Sequence, residues 1–283
     1  MAQKPGKTVL DEIVAARLHA LEETRLAVPM DQVQQAAEAR TERRDFAAAI
    51  SSRVSSPEEM GVRVIAELKR ASPSRGMIRD EFRPRDIASS YAKGGAAALS
   101  VLTEGQYFLG SLEYLAEARN TVQIPVLRKD FILDAYQVYE SVAAGADALL
   151  LIVAALPDAD LQRLLALCQQ LRIDALVEVH AAEELACALA AGARIIGVNN
   201  RNLKTLEVDL ATSLMLREKI PAGHITVSES GIKTGRDLQR LAEAGFDAVL
   251  IGEHLVAQPD PEQALRELLA DGMQSAGRSV PKN

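Results

Sequence analysis

The sequence predicts a single-domain α/β fold, a (β/α)₈ or TIM barrel preceded by an N-terminal helical extension. Four helix-like segments end in a glycine turn that passes directly into an apolar run, at Gly94, Gly145, Gly192 and Gly245. Glycine just past a helix supplies the left-handed cap. Apolar strands that alternate with helices indicate a parallel sheet covered on both faces.

Further apolar runs bring the number of predicted strands to eight, each about one βα unit from the next. Their ends lie near Lys69, Thr103, Lys129, Val153, Glu178, Asn199, Glu229 and Gly252. Eight such units close naturally into a barrel, predicted here over residues 61–271. A doubly wound open sheet is the alternative, but no GxGxxG motif follows the first strand to support it.

The segments before and after the barrel have their own patterns. Residues 1–60 are predicted to form a helical extension that packs on the barrel, because Leu10, Ile13 and Leu21 follow helical spacing until Pro29 breaks the run. This extension is either a lid over one barrel end or a plug or packing brace. Residues 272–283 are predicted to be a disordered tail.

Composition and charge exclude several classes of protein. A net charge of −7 gives no support for a nucleic-acid partner. The longest apolar stretch, residues 148–156, is too short to span a bilayer, and the first residues contain no apolar signal segment. Cys168 and Cys187 lack CxxC spacing, and the histidines show no metal-ligand spacing. We therefore expect a cytoplasmic protein that binds no metal, nucleic acid or membrane.

Polar and charged side chains collect where the predicted strands end, which is where barrels of this kind place their chemistry. Glu67 and Lys69 end the first strand two residues apart, so both project from one face. Equivalent positions on four other strands carry Lys129, Glu178, Asn199 with Arg201, and Glu229 with Ser230. The cluster indicates an acid–base site; the alternative is a solvated rim or an inward salt-bridge network that holds the barrel closed.

Two glycine-bearing strand ends predict a phosphate site. Ser230-Gly231 follows the seventh strand and Gly252-Glu253 follows the eighth. The loops after these two strands commonly bind phosphate through backbone N–H groups, and glycine lets the backbone approach closely. The alternative is that the glycines merely turn the chain.

Cations near the strand ends refine the predicted ligand. They are Lys69, Arg70, Arg75, Arg128, Lys129 and Arg201. A local positive field in an acidic protein favours a small anion, and more cations than one phosphate requires indicate a second negative group on it. Arg70 and Arg128, next to lysines in strand alternation, are expected to face outward among the surface residues.

Six segments resemble the indole-3-glycerol phosphate synthase family of tryptophan biosynthesis. They are residues 65–76 (IAELKRASPSRG), 127–132 (LRKDFI), 176–180 (LVEVH), 196–203 (IGVNNRNL), 227–232 (VSESGI) and 250–253 (LIGE). Together they cover, in order, the strand ends that carry the predicted site. The resemblance implies a lyase that works without metal or organic cofactor. The sequence leaves open both a monomer and association with other enzymes of the pathway.

The resemblance also implies a substrate and a reaction. The substrate is 1-(2-carboxyphenylamino)-1-deoxyribulose 5-phosphate, a small anion with a phosphate and a carboxylate. The enzyme closes a pyrrole ring, releases carbon dioxide and then removes water. Lys129 matches the general acid of ring closure, Glu178 the partner in dehydration, and Lys69 a substrate contact that shares the acid role.

Further roles are carried over from the family's pattern. Glu67, Asn199 and Glu229 would position these groups and balance charge, and Arg201 and Phe131 would lie beside the polar and aromatic parts of the substrate. The residues expected around the phosphate are Ser72, Ser230, Gly231, Gly252 and Glu253, the last two through backbone N–H groups.

The sequence departs from the family pattern at two positions, and two other functions are compatible with its residues. His254 stands where the family usually has a small polar residue, and Asn202 where aspartate is frequent. One rival is a Schiff-base aldolase barrel, because a lysine at a strand end can also attack a carbonyl. The other is a non-catalytic phosphate-binding barrel that acts as an assembly partner, against which the intact set of charged residues argues.

Overall fold

The structure of the chain, a computed structural model, describes residues 8–52, 61–203 and 205–276. Eight parallel strands form a closed barrel in chain order. They are β1 (Arg63–Leu68), β2 (Ala98–Leu102), β3 (Val126–Lys129), β4 (Ala148–Ile152), β5 (Asp174–Val179), β6 (Ile195–Asn199), β7 (Ile225–Glu229) and β8 (Ala248–Ile251). The predicted barrel is confirmed, and the open-sheet alternative is wrong because β8 pairs with β1.

The local signals in the sequence locate these strands closely. Every predicted strand end lies within one residue of the observed end. The four predicted turns contain glycines with positive φ, namely Gly95 at 100°, Gly145 at 101°, Gly192 at 84° and Gly245 at 85°. Each of these turns lets the chain leave a helix and enter a buried strand directly.

Helices cover the outside of the barrel. Those within the βα units are α4 (Pro84–Gly94), α5 (Leu112–Thr121), α6 (Ala135–Ala143), α7 (Asp158–Leu171), α8 (Ala182–Ala190), α9 (Ala211–Arg217), α10 (Gly235–Glu243), α11 (Glu253–Val256) and α12 (Pro261–Ala276). A short ribbon, Ala71–Ser72 against Gly76–Met77, follows β1. The apolar faces of the helices pack on the outward side chains of the strands and form the larger core.

The described part of the N-terminal extension, residues 8–52, contains three helices: α1 (Val9–Ala27), α2 (Met30–Ala39) and α3 (Phe46–Ile50). Phe46 and Ile50 of α3 are fully buried among the inward-facing side chains of the barrel. The backbone N–H of Ala47 donates to Asp174, the first residue of β5, at 3.0 Å. Of the two roles expected for the extension, α3 therefore fills that of a plug, at the amino end of the barrel.

The remainder of the extension braces the side of the barrel. Leu21 of α1 and Val33 of α2 pack on Tyr136 of α6. In the segment after α2, Arg40 Nη2 donates to the buried carboxylate of Asp147 at 2.8 Å. Asp147 also accepts from the backbone N–H of Val126, so it ties the extension to the start of β3. Burial raises the pKa of Asp147, while this hydrogen bond and the neighbouring arginines oppose the rise.

Phe46→Ala is expected to lower the free energy of unfolding by about 3–5 kcal/mol, since it leaves a cavity among barrel residues that cannot close over it. Urea unfolding followed by circular dichroism measures this loss. The KM of the folded variant should stay close to that of the unaltered chain, because α3 lies at the opposite end of the barrel from the charged strand ends. A loss below about 1 kcal/mol would show that α3 does not act as a plug.

Two expectations about the surface need correction. The tail predicted from residue 272 is wrong for residues 272–276, because α12 continues through Ala276. Residues 277–283 lie outside the described residues. Arg128 faces away from the barrel interior as expected, but it is fully buried beneath α6 and pairs with Asp130 and Glu140. No helix of the described residues is long and apolar enough to cross a membrane.

Candidate active site

A cavity of about 570 Å³ opens at the carboxyl end of the barrel. Twelve of the thirteen predicted site residues line it: Glu67, Lys69, Lys129, Phe131, Glu178, Asn199, Arg201, Glu229, Ser230, Gly231, Gly252 and Glu253. They come from different βα units because the carboxyl ends of parallel strands meet at one edge of the barrel. The remaining predicted residue, Ser72, does not line the cavity. It lies in the short ribbon, where its hydroxyl faces that of Ser74 at 3.4 Å.

Lys129 lies at the centre of the charged cluster. Its Nζ is 2.7 Å from Glu178 Oε2 and 2.6 Å from Glu229 Oε2. Burial lowers the pKa of Lys129, but the negative charges of Glu178, Glu229 and Glu67 outweigh it and raise that pKa above its ordinary value. Lys129 therefore carries an ammonium at neutral pH, within hydrogen-bond distance of two carboxylates.

The two carboxylates on Lys129 differ in their surroundings. Burial raises the pKa of Glu178, but Lys129 and His180 together lower it below its ordinary value. For Glu229, burial and the charge of Glu178 outweigh Lys129 and raise its pKa. Two titratable groups whose pKa values are pushed apart can act as a base and an acid at the same pH. Glu178 is the ionised member of the pair, and Glu229 is the one that more readily holds a proton.

Glu67 and Lys69 form a second ion pair, with 2.7 Å between Lys69 Nζ and Glu67 Oε1. This pair occupies the space beside Gly252, where a Cβ would overlap Glu67 Oε1 and lie 3.0 Å from Lys69 Nζ. Gly197 on β6 makes room for Glu229 in the same way. Sequence reasoning missed this steric role of the two glycines, because it depends on which carboxylate the neighbouring strand directs at each of them.

Gly252→Ala is expected to reduce kcat/KM by about 10²-fold, because the new methyl group displaces the Glu67–Lys69 pair by about 1 Å. The φ of Gly252 is −114°, so the effect comes from overlap and not from backbone strain. Gly61→Ala is the matched control, since an added Cβ there meets open space. Steady-state kinetics compare the two variants, and equal activities would contradict this role of Gly252.

The far side of the cavity contains the predicted phosphate loops. Ser230 and Gly231 after β7 both have positive φ, 68° and 84°. Gly252 and Glu253 lead from β8 into α11 beside them. The Glu253 carboxylate lies 3.3 Å from Arg75 Nε, an ion pair that crosses from the ribbon after β1 to α11. The two loops and Arg75 line the same part of the cavity.

Aromatic and polar side chains form the remaining wall. The ring centroids of Phe108 and Phe131 lie 6.3 Å apart. Phe108 was not predicted; it lies in the loop after β2 and lines the cavity, and only its position shortly after a strand end could have indicated it. Arg201 Nη1 donates to the carbonyl of Leu206 at 3.1 Å, and Asn199 Oδ1 accepts from the backbone N–H of Arg201. These bonds fix the loop after β6 over the cavity.

A buried network supports the loop after β3. Asp130 accepts hydrogen bonds from Thr103, Arg128 and Arg17 at 2.6, 2.9 and 3.0 Å. Arg17 belongs to α1, so the N-terminal extension reaches the loop that follows Lys129 and carries Phe131. Within the part of the chain that the structure describes, no group of three or more His, Cys, Asp or Glu side chains is arranged to hold a metal ion.

The fold and the cavity together define a (β/α)₈-barrel enzyme with charged groups at its mouth. A family model described as indole-3-glycerol phosphate synthase matches residues 10–268. The chain therefore belongs to the indole-3-glycerol phosphate synthase family, whose members are lyases of tryptophan biosynthesis and act on a small phosphorylated molecule.

Relatives from bacteria are similar to this chain over nearly their whole length. An indole-3-glycerol phosphate synthase of Albidiferax ferrireducens is 48% identical over 262 residues, covering 93% of this chain and 98% of the relative. One of Carboxydothermus hydrogenoformans is 44% identical over 262 residues, covering 92% and 99%. This similarity includes the barrel and most of the N-terminal extension.

Solved structures with low sequence identity share the fold. A mandelate oxidase matches with a TM-score of 0.60 at 17% identity, covering 76% of this chain and 74% of the oxidase. The 3-hexulose-6-phosphate synthase of Salmonella typhimurium matches with a TM-score of 0.60 at 14% identity, covering 75% and 99%. These likenesses support the barrel architecture alone.

Proposed function

We propose that the chain converts 1-(2-carboxyphenylamino)-1-deoxyribulose 5-phosphate to indole-3-glycerol phosphate. Family membership supports this reaction, and the observation that carries it is the position of Lys129 between Glu178 and Glu229 at the base of the cavity. The reaction needs a proton donor, a base and an anion site, but no oxidant or reductant. The chain offers candidates for each in one cavity.

Lys129 is the general acid of ring closure. Its raised pKa keeps the ammonium protonated until a stronger base forms beside it. As the aromatic carbon attacks the ketose carbonyl carbon, the carbonyl oxygen gains negative charge and takes the proton from Nζ. Loss of carbon dioxide then leaves its bonding electrons in the ring and restores aromaticity.

Glu178 is the base of the dehydration step. The hydroxyl that ring closure has formed leaves as water after it gains a proton, and a base removes the proton from the neighbouring carbon. Glu178 is ionised because Lys129 and His180 lower its pKa, so it can take that proton. Lys69, in its pair with Glu67, lies in the same cavity and serves as the second proton donor.

The other side chains position the substrate. Ser230, Gly231, Gly252 and Glu253 surround the phosphate, with the N–H groups of the last two directed at it. Ser72 joins them after its hydroxyl turns away from Ser74. Phe131 packs on the anthranilate ring, Arg201 contacts its carboxylate, and Asn199 and Glu229 hold the charged groups in place.

We also propose the compartment in which the enzyme works and the partners it binds. It works in the cytoplasm, where free thiols such as Cys168 and Cys187 persist. Its partner is the small anionic substrate, and it needs neither nucleic acid nor membrane. The N-terminal extension and the barrel act as one unit, since Arg40 and Ala47 of the extension donate hydrogen bonds to Asp147 and Asp174 of the barrel.

Indole fluorescence after addition of the synthetic substrate tests the proposal. Product should form in the presence of a chelator, and borohydride should trap no covalent adduct. An ammonium is a poor nucleophile, so the charge on Lys129 disfavours the Schiff-base alternative. Absence of product would contradict the proposal, as would an adduct on Lys129 detected by mass spectrometry. A binding-only barrel would retain the substrate without converting it.

A further inference from the structure

His180 lies next to the charged cluster but outside the cavity. It follows β5 directly and stands two residues after Glu178, so the two side chains lie on the same side of the chain. Its side chain is about one-tenth exposed. It is not among the residues that line the cavity, so the mechanism above does not use it as a substrate contact.

Two carboxylates hold the imidazole. Nδ1 is 3.0 Å from Glu184 Oε2, and the same oxygen accepts from the backbone N–H of His180 at 2.7 Å. Glu184 belongs to α8, which packs behind β5. On the other side of the ring, Nε2 is 3.3 Å from Glu178 Oε1. His180 thus connects an outer helix to a carboxylate of the site.

The two oxygens of Glu178 face different cations. Oε2 is 2.7 Å from Lys129, and Oε1 faces His180. Without His180, a buried oxygen of Glu178 would lose its cationic neighbour, which is costly in a site of low polarity. When Lys129 gives up its proton during ring closure, His180 is the cation that still balances Glu178.

We propose that His180 is a positioning residue that holds Glu178 as an oriented carboxylate through the dehydration step. This inference rests on the proposed function, because it assigns His180 a part in the work of Glu178. The charged groups that face the imidazole are Glu178 on β5 and Glu184 on α8, with Lys129 on the far side of Glu178. Burial lowers the pKa of His180, but the two carboxylates outweigh it and raise the pKa to about 9, so the ring is a cation at neutral pH.

Two substitutions test the two contacts of the imidazole ring, with Glu184 and with Glu178, one at a time. In His180→Asn the side-chain amide can still reach Glu184 but not Glu178. In His180→Gln the longer side chain places an uncharged amide donor beside Glu178. His19→Asn is the matched control, since His19 is exposed on α1.

The expected results follow from the loss of a cation beside Glu178. In His180→Asn, kcat should fall roughly 10- to 100-fold with KM nearly unchanged. The pKa of Glu178 should rise, so activity should be lost at a pH about one unit higher on the acid side. His180→Gln should recover most of kcat, but the acid limb of its pH–activity profile should stay shifted. His19→Asn should have the kcat and the pH profile of the unaltered chain.

An NMR titration gives a test that does not depend on turnover. The chain has four histidines, and the imidazole signal missing from His180→Asn identifies His180. That signal should titrate near pH 9. A wild-type kcat and acid limb in His180→Asn would overturn the inference. So would a fall in both kcat and Tm with an unchanged acid limb, because a purely structural residue would produce it. Failure of the unaltered chain to form product would contradict the proposed function instead, while the NMR titration would still report the Glu178 contact.

Discussion

Lys129→Ala is expected to lower kcat by about 10²- to 10⁴-fold, because the substitution removes the proton donor for ring closure. It also leaves Glu178 and Glu229 facing each other without the ammonium that lies 2.7 and 2.6 Å from them. One of these buried carboxylates must then take up a proton. Steady-state kinetics measure kcat, and calorimetry with a non-reactive substrate analogue measures binding, which should change by only a few-fold.

Two controls make the Lys129 result specific. Lys219→Ala removes an exposed lysine after α9 and should leave kcat unchanged. Lys69→Ala removes the second proposed proton donor. It should lower kcat less than Lys129→Ala does, because among the described side chains only one carboxylate, that of Glu67, pairs closely with Lys69. Retention of more than one-tenth of kcat in Lys129→Ala would show that another group protonates the carbonyl.

Local signals explain why the fold could be predicted from sequence. A glycine turn followed by an apolar run appears within a few neighbouring residues, so each βα boundary can be located without knowledge of the rest of the chain. Eight repeats then fix the architecture, and the carboxyl ends of the strands must meet at one edge. This is why Glu67, Lys129 and Glu178 could be grouped although they lie far apart in the sequence.

Features that depend on packing between distant segments could not be predicted. Nothing local indicates that Phe46 fills the amino end of the barrel, or that the guanidinium of Arg128 lies buried under α6. The hydroxyl of Ser72 faces Ser74 within the ribbon that follows β1, and this ribbon forms by pairing of Ala71 and Ser72 with Met77 and Gly76. The distribution of charge between Glu178 and Glu229 likewise depends on burial and on His180.

Glu178→Gln is expected to separate the release of carbon dioxide from the formation of indole. The variant keeps Lys129 and its contact with Glu229, so ring closure and decarboxylation should proceed. It lacks the carboxylate that takes the proton during dehydration, so indole formation should slow by about 10²- to 10⁴-fold. A single-turnover experiment would then show about one equivalent of carbon dioxide per substrate molecule before indole fluorescence rises.

The order in which carbon dioxide and indole appear shows at which step of the reaction Glu178 acts. In the unaltered chain the pKa of Glu178 is lowered, so this group stays ionised at neutral pH and should limit activity only when the pH falls well below neutrality. Glu183→Gln, an exposed position on α8, provides the matched control and should release both products together at the normal rate. If carbon dioxide and indole slow by the same factor in Glu178→Gln, Glu178 acts before decarboxylation, and the base of the dehydration step must be another of the carboxylates in the cavity.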